Sequence, residues 1–164
     1  TGYNNETQQI EHSIKECGKY LNGIPDGIHT TKYRNGKIET EYRYEDGLQV
    51  SGVGFYDSGR KEFVDSYENK KLVTQTHYYR NTKIELLKKI EDDKPNGGCS
   101  YFRKDGSMEY SGFMKNGRND GIFSYYDCDG NMWKQMVYED GKMMDEYRTT
   151  LDGKKLDEPL VYFK

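Results

Sequence analysis

The sequence predicts an all-β fold, an elongated single-layer antiparallel β-meander of about six hairpin repeats of 23–24 residues. Two series of turn signals recur with that period, and the segments between them alternate apolar and polar residues. The composition agrees, because 16 tyrosines and 18 glycines with only 33% hydrophobic residues favour thin sheets with glycine turns over a helix bundle. Period, alternation and composition therefore indicate the same architecture.

Two series of turn signals define the repeats. The first-series motifs end at Gly23, Gly47, Lys70, Asp93, Gly117 and Gly141, at steps of 24, 23, 23, 24 and 24 residues. The second-series motifs end at Gly36, Gly59, Thr82, Gly106, Gly130 and Gly153, at steps of 23, 23, 24, 24 and 23 residues. Asn-Gly and Asp-Gly pairs supply the positive φ angles of type I′ turns, so we expect such turns in both series.

The repeats divide the chain into three parts. Residues 1–12 are polar and are predicted to form an N-terminal tail, followed by a β-repeat domain over residues 13–153. The segment from Ser13 to Tyr20 fits the strand template, and a short helix ending at Gly18 is the alternative. Residues 154–164 leave the pattern, and they either cap the sheet or present an open edge that pairs with another chain.

The strand after each second-series turn carries its apolar side chains at even offsets from the turn residue. Alternation with period 2 is typical of a half-buried strand that has one apolar face. The predicted apolar faces hold Ile38, Tyr42 and Tyr44; Phe63 and Tyr67; Ile84, Leu86 and Ile90; Met108, Tyr110 and Met114; and Met132, Met136 and Tyr138. The returning strands close with aromatic residues that we expect to stack at repeat spacing, namely Tyr33, Tyr56, Tyr79, Phe102 and Tyr126.

A column of glutamates occupies the odd offsets. It comprises Glu39, Glu62, Glu85 and Glu109. We favour a solvated outer face on which these carboxylates pair with Lys and Arg across strands, and the alternative is a cation-binding ridge. Trp133 stands at the same offset in the next unit, where it either packs under the C-terminal tail or marks a contact patch.

The charge of the chain argues against two kinds of partner. A net charge of −3 and a pI near 5.7 do not provide the basic face that nucleic acid or an anionic membrane surface requires. No apolar run reaches the roughly 18 residues of a transmembrane helix. Because the chain begins at Thr1, we expect a segment upstream of it, and that segment decides between the cytoplasm and the cell envelope.

The stretch from Tyr110 to Gly130 resembles the MORN repeat. The residues that match its tyrosine, glycines and closing aromatic are Tyr110, Gly112, Asn116, Gly117, Gly121, Tyr126 and Gly130. The resemblance extends from about Ser13 to Gly153 and is closest to the divergent bacterial variant, found in proteins labelled as antitoxins or envelope proteins. It implies a meander curved into a gutter that serves as a scaffold for protein association, with lipid binding attributed to some members.

A weaker resemblance is to the aromatic-glycine repeats that bind cell walls, and it rests on the segments YYDCDGNM and YFRKDGSM. Those repeats need paired tryptophans, whereas this chain has only Trp133. The resemblance therefore implies a glycan site only as an alternative.

No motif of a cofactor, metal or catalytic site is found in the sequence. The glycines lie between strands rather than before a helix, so they do not form a phosphate-binding loop. His12, His29 and His77 lie in different units without metal-ligand spacing, and the three cysteines form no C-x-x-C pair. We therefore predict a non-enzymatic protein with no cofactor, no metal ion and no catalytic residue.

Repeated tyrosines point to protein binding, because an apolar ring with a polar tip suits a partner-facing surface. The alternative is that these rings fill the core. The predicted binding residues are Tyr44, Tyr67, Tyr79, Tyr126, Trp133 and Tyr138. We expect a scaffold that binds a protein partner through its aromatic face or its terminal edge, where it also has a route to homo-oligomers. The alternatives are an antitoxin or immunity protein that neutralises a cognate toxin, and a module that binds an envelope glycan or lipid.

Overall fold

The computed structural model describes residues 17–149 and 155–156, which form strands joined by turns. The predicted tail, residues 13–16 of the first predicted strand, and most of the C-terminal segment lie outside the described residues. The strands are β1 (Cys17–Leu21), β2 (Ile24–Lys32), β3 (Ile38–Glu45), β4 (Leu48–Phe55), β5 (Lys61–Glu68), β6 (Lys71–Tyr78), β7 (Ile84–Glu91), β8 (Lys94–Phe102), β9 (Met108–Lys115), β10 (Arg118–Asn119), β11 (Gly121–Tyr126), β12 (Met132–Glu139), β13 (Lys142–Thr149) and β14 (Lys155–Leu156).

All strands belong to one open antiparallel sheet in meander order. Each strand pairs with its neighbours in the chain, except that the short β10 pairs only with β9, beside β11. The prediction of an all-β, single-layer meander is confirmed, and β1 is a strand from Cys17 onwards rather than the end of a helix. Within the part of the chain that the structure describes, there is no helix of the length and apolar character needed to span a membrane.

The first-series turns are two-residue type I′ turns. In each, both central residues have positive φ, as in Asp46 (52°) with Gly47 (78°). Lys70 and Asp93 stand where the other units have glycine, and they keep the same conformation with φ of 61° and 59°. The loss of glycine in these two units therefore leaves the turn type unchanged. It costs conformational free energy, because a residue with a side chain adopts the left-handed conformation there.

The second-series turns are not type I′, which corrects the prediction. Each described turn has a single residue of positive φ, at Gly36, Gly59, Thr82, Gly106 or Gly130. In the first, the Gly36 amide donates to the Tyr33 carbonyl at 2.9 Å, and the Tyr33 amide donates to the Lys37 carbonyl at 2.9 Å. This pattern is a type I turn followed by one left-handed residue. The turn predicted at Gly153 lies outside the described residues.

A β-bulge follows each described second-series turn. In β5, Phe63 pairs with Gly54 and Lys61 pairs with Phe55, so Glu62 has no partner on β4. The extra residues of the five bulges are Glu39, Glu62, Glu85, Glu109 and Trp133. Because each bulge inserts one residue, the side chains between the turn and the bulge point to the side of the sheet opposite to the one that alternation along the strand predicts.

The bulges correct part of the predicted apolar face. Ile38, Ile84, Met108 and Met132 pair with Lys32, Tyr78, Phe102 and Tyr126. On its own strand, each of these partners directly follows a residue of the predicted face. Because successive residues of a strand point to opposite sides of the sheet, the partners and the four apolar residues paired with them lie on the opposite face. The other residues of the predicted set, the first of which is Tyr42 and the last Tyr138, lie on the predicted face.

Three rows of paired residues define that face, which we call the aromatic face. The upper row runs Thr40, Gly54, Phe63, His77, Leu86, Tyr101, Tyr110, Tyr125 and Lys134. The middle row runs His29, Tyr42, Gly52, Asp65, Gln75, Lys88, Cys99 and Gly112, and continues through Phe123, Met136 and Glu146. The lower row includes Tyr44, Gln49, Tyr67, Leu72, Ile90, Pro95, Tyr138 and Met143.

The most buried side chains of the described residues lie on the aromatic face. They are Phe123, with 2% of its surface exposed, together with His29, Cys99 and Ile90. Gly112 lies under the Phe123 ring, where an added Cβ would meet the ring at 2.5 Å. The core of this single-layer sheet is therefore a set of rings packed flat on glycines of adjacent strands.

Candidate functional site

The aromatic face holds two groups of three or more contacting rings, and between them lies one pair, Phe63 and His77, with ring centroids 6.0 Å apart. At the N-terminal end, His29 lies between Tyr20 and Tyr44, with ring centroids 5.0 Å from each, and its Nε2 donates to the Lys19 carbonyl at 2.8 Å. At the C-terminal end, Tyr101 stacks on Tyr110 at 5.3 Å. The edge-to-face contacts of His29 and the stacked pair at a 5.3 Å centroid distance are both favourable geometries for aromatic rings.

The C-terminal group continues across three more strands. Tyr110 contacts Tyr125 at 5.5 Å and Phe123 at 6.3 Å, and Phe123 meets Tyr138 edge to face at 5.2 Å. Burial, with Tyr138 nearby, raises the pKa of Tyr125 to about 12. The Tyr125 hydroxyl therefore stays protonated at neutral pH and can donate a hydrogen bond.

A groove crosses the aromatic face beside this group. Its volume is about 330 Å³. It is lined by Leu86, Lys88, Pro95, Cys99, Tyr110, Met114, Asn119, Phe123 and Tyr125. A lining of apolar side chains with a few polar groups is typical of a ligand or peptide site.

Polar residues separate the two ring groups. Asp65 on β5, Gln75 on β6 and Lys88 on β7 follow one another in the middle row. Burial raises the pKa of the Asp65 carboxyl, and Gln75, His77 and Lys88 act in the opposite direction. Burial, with Asp65 beside it, also raises the pKa of Tyr67 to about 12.

Along the second-series turns, tyrosines tie each repeat to the next. The hydroxyls of Tyr33, Tyr56 and Tyr79 donate to the carbonyls of Phe55, Tyr78 and Phe102 at 2.6, 2.6 and 2.7 Å. In the fourth unit Arg103 takes the tyrosine position, and its guanidinium donates to the Tyr126 carbonyl. This corrects the prediction that five aromatic rings stack here, because Phe102 and Tyr126 are acceptors through their backbone and are not in register with the three tyrosines.

The glutamate column lies beside these tyrosines, not on a separate solvated face. Its residues are half-buried, and the Tyr101 hydroxyl donates to Glu85 Oε1 at 3.2 Å. Burial raises the pKa of Tyr33 and of Tyr56, and in both the nearby Glu62 carboxylate adds to the shift. None of the ion pairs between described residues involves Glu62, Glu85 or Glu109, so the predicted cross-strand pairs are not observed for these three. The bulge explains the error, because it turns the column away from the face that simple alternation predicts.

The six predicted binding residues do not form one site. Tyr44, Tyr67 and Tyr138 share the lower row of the aromatic face, spread along the sheet. Tyr79 lies at the second-series turns, and Tyr126 lies on the opposite face. Trp133 is the bulge residue of β12, 40% exposed, with Lys134 Nζ 5.0 Å from its ring.

Several residues of the aromatic face are absent from the set of predicted binding residues. Tyr110, Phe123 and Tyr125 make the ring contacts beside the groove, and Asp65 and Lys88 form the polar break. The predicted apolar faces already contained Tyr110, but pairing across strands is needed to bring Phe123 beside it. Asp65 lies six residues after the second-series turn residue Gly59, the position that Gly112 has in its own unit, and this departure from glycine was the available signal.

The cysteines and histidines of the described residues are dispersed. Cys99 is buried and Cys17 and Cys128 are exposed, all as free thiols, and burial raises the pKa of Cys99. Among residues 17–149 and 155–156, no group of three or more His, Cys, Asp or Glu side chains is placed to hold a metal ion.

Comparisons with known proteins give little. No protein-family model matches the sequence, and no curated protein matches it. Among solved structures, the chain is similar to the GtfA/B complex bound to UDP and GlcNAc, at 11% identity and a TM-score of 0.29, over 71% of this chain and 26% of that one.

Two structures of TarM give similar values. One is a mutant from S. aureus in complex with fondaparinux, alpha-GlcNAc-glycerol and UDP, at 12% identity and a TM-score of 0.28, over 81% of this chain and 21% of that one. The other is TarM itself, at 13% identity and a TM-score of 0.27, over 82% of this chain and 21% of that one. The chain spans about a fifth to a quarter of these proteins, and at such TM-scores the similarity says nothing about its fold or function.

Proposed function

We propose that this chain is a non-enzymatic, MORN-like repeat scaffold that binds a partner protein on its aromatic face. The observation that carries the proposal is the groove of about 330 Å³ between Leu86 and Tyr125. It joins apolar side chains to tyrosine rings in the part of the face that has the densest ring contacts. Interface centres are enriched in such aromatic residues.

The chemistry of the face supports binding rather than catalysis. Many of its hydroxyls belong to tyrosines, and burial raises the pKa values of Tyr67 and Tyr125 to about 12. A group with that pKa is neither a base nor a nucleophile at neutral pH, and it serves as a hydrogen-bond donor. The tyrosines thus offer apolar contact and donors without a reactive centre.

The repeat architecture supports a scaffold role. Each unit pairs only with its neighbours in the sheet, and an extended face results that presents many similar side chains in rows. The resemblance to MORN repeats agrees with protein association as the role. A cognate toxin is one partner of this kind, and the identity of the captured partner decides between a scaffold and an antitoxin.

Site-specific photo-crosslinking in the source cells tests the proposal. A benzoylphenylalanine at position 88 faces the groove, and the same group at position 87 faces away from it on the same strand. We expect one defined polypeptide to be captured from position 88 and not from position 87. Capture from position 87 alone, or of glycan and lipid but no polypeptide, contradicts the proposal.

A matched pair of variants then measures the contact with the purified partner. Leu86 lines the groove, and Leu87, its neighbour, is 37% exposed on the opposite face. We expect Leu86→Arg to weaken binding by about tenfold or more, because a central apolar contact is lost, and Leu87→Arg to change it by less than about twofold. Equal effects of the two variants would place the partner elsewhere on the chain.

A further inference from the structure

Between the two ring groups, the middle row of the aromatic face carries one carboxylate. Asp65 lies on β5, directly paired with Gly52 on β4 and with Gln75 on β6. The side chain is half-buried, and burial raises the pKa of its carboxyl. A carboxylate among rings is costly in free energy unless it has a partner, so its position calls for a physical reason.

One oxygen of this carboxylate is unsatisfied. Asp65 Oδ1 is shielded from solvent and has no hydrogen-bond partner among the residues that the structure describes. The Gln75 side chain hydrogen-bonds to the carboxylate, so Oδ1 is the oxygen left for a partner. A turn about the Cβ–Cγ bond, a torsion with a broad energy minimum, would present Oδ1 to the open side of the sheet.

Two tyrosine rings flank Asp65. Tyr42 lies across Gly52, where an added Cβ would meet its ring at 2.9 Å, so the ring reaches over the strand that separates it from Asp65. Tyr67 is two residues along β5 on the same face, and both Tyr42 and Tyr67 have pKa values raised by burial first and by Asp65 second. Asp65 thus lies between two ring surfaces.

Among the described residues, no Lys or Arg forms an ion pair with Asp65. Lys88 lies two strands away in the same row, and together with His77 it acts on the carboxyl from a distance and lowers its pKa. Glu85 accepts a hydrogen bond from the Tyr101 hydroxyl in the upper row, and the Glu62 carboxylate acts on Tyr56 through its charge. The unsatisfied Asp65 oxygen is the acceptor that a basic side chain of a partner would complement.

We propose that Asp65, with Tyr42 and Tyr67, receives a basic side chain, Arg or Lys, of the partner polypeptide. This inference rests on the proposed function. A guanidinium or ammonium group would donate to the Asp65 carboxylate while its charge lies against the tyrosine rings, which attract cations. A metal ion fits less well, because a single carboxylate and ring faces do not supply the oxygen ligands that hard cations require.

Short peptides test the site on the full chain. The probe is acetyl-Gly-Ser-Arg-Ser-Gly-amide, with versions that carry Lys, citrulline or norleucine in place of Arg, followed by the backbone amide signals of the protein in NMR. We expect saturable shifts at Asp65, Gln75 and Tyr67 for Arg and Lys, with a dissociation constant on the order of 1 mM, and none for citrulline or norleucine. Shifts of equal size with norleucine would mean a merely apolar contact and would overturn the proposal.

Two charge-neutralising variants locate the contact. Asp65→Asn removes the carboxylate, and Glu68→Gln removes an exposed carboxylate from the other face of the same strand. We expect Asp65→Asn to weaken Arg binding by about tenfold without lowering the melting temperature, and Glu68→Gln to leave binding unchanged. Because Asp65→Asn relieves a buried charge, lost binding would not be a consequence of unfolding.

The outcomes separate this inference from the proposed function. If Asp65→Asn binds the Arg peptide as well as the native chain does, the basic-residue site is wrong. If the crosslinked partner nevertheless loses affinity with Leu86→Arg, the scaffold proposal stands without it. Tyr67→Leu keeps an apolar side chain but removes the ring. If this variant binds the Arg peptide more weakly while its melting temperature is unchanged, the ring contact is supported.

Discussion

At the scale of single residues, the aromatic face combines well-packed rings with a carboxylate that has an unsatisfied oxygen. The His29 ring donates to a carbonyl and touches two tyrosines, and Phe123 is almost fully buried. Asp65, by contrast, has its pKa raised and one oxygen without a partner in the described part of the chain. Departures of this kind from local optimality are where function is expected in natural proteins.

Neutralising Asp65 is expected to stabilise the fold at neutral pH. Its pKa in the folded protein is raised above the ordinary value of 3.8, so the fold favours the neutral form. At a pH below that ordinary value, the carboxyl is protonated in both the folded and the unfolded state, so its ionisation costs no stability. The cost to the folded state develops as the pH rises from there through the folded pKa. After allowance for solvent screening, we expect Asp65→Asn to raise the free energy of unfolding by about 0.5–1 kcal/mol at pH 7, with the gain vanishing near pH 3.

Urea denaturation of Asp65→Asn at pH 7 and pH 3 checks this sign. Glu68→Gln serves as the control and should change the free energy by no more than about 0.5 kcal/mol at either pH, since its side chain is exposed. A loss of stability in Asp65→Asn at pH 7 would show that the ionised carboxylate has a stabilising structural partner.

At the scale of strands and turns, the repeat is built from two different turn types. The first-series turn needs two left-handed residues, and the second-series turn needs one, followed by a bulge. The bulge places Glu39 and its equivalents beside the tyrosine hydroxyls and moves residues such as Ile84 to the opposite face. Neither effect is visible from period-2 alternation within one strand, because a bulge is defined by pairing with the next strand.

A strained turn residue offers a stabilising substitution. Thr82 has φ of 72° in the position that is glycine in the other described second-series turns, and a β-branched residue pays a steric cost there. We expect Thr82→Gly to raise the free energy of unfolding by about 0.5–1 kcal/mol, after the entropy cost of glycine. Chemical denaturation measures this free energy of unfolding. Thr76→Gly, in the middle of a strand, is the control and should lower it.

Close packing on glycine gives the opposite effect. An alanine Cβ at position 112 would meet the Phe123 ring at 2.5 Å, whereas at position 98 it would meet nothing within 4 Å. We expect Gly112→Ala to lower the free energy of unfolding by about 1–3 kcal/mol, because the buried Phe123 ring must move, and Gly98→Ala to be nearly neutral. Thermal unfolding of the two variants compares them, and equal melting temperatures would show that the ring shifts freely.

At the scale of the whole molecule, the units are linked by repeated bonds between neighbours. Tyr33, Tyr56 and Tyr79, and then Arg103, each donate to a carbonyl about one repeat further along the chain. On the first-series side, Lys70 pairs with Asp46 at 2.8 Å and Arg118 pairs with Asp140 at 2.8 Å. These ion pairs are exposed and add little, so the pairing of strands carries most of the stability.

Removal of one complete repeat should leave a folded sheet. Deleting residues 57–79 joins Tyr56 to Arg80, which preserves a second-series turn and the alternation of strand directions. We expect a cooperative unfolding transition with the m-value lowered by about a sixth, in proportion to the surface removed. Deleting residues 57–68 reverses every later strand, so this half-repeat control should unfold without cooperativity.

The sequence by itself determined the number of repeats, the order of strands and the antiparallel pairing, because turn chemistry is local and Asn-Gly or Asp-Gly pairs encode it directly. Local chemistry also identified Tyr44, Tyr67 and Tyr138 as members of one face. Only the tertiary structure decided which side of the sheet Glu85, Ile84 and Tyr126 occupy, and that Tyr42 reaches across Gly52 towards Asp65. The physical reason is that bulges and ring contacts arise from hydrogen bonding and packing between adjacent strands, which the spacing within one strand does not encode.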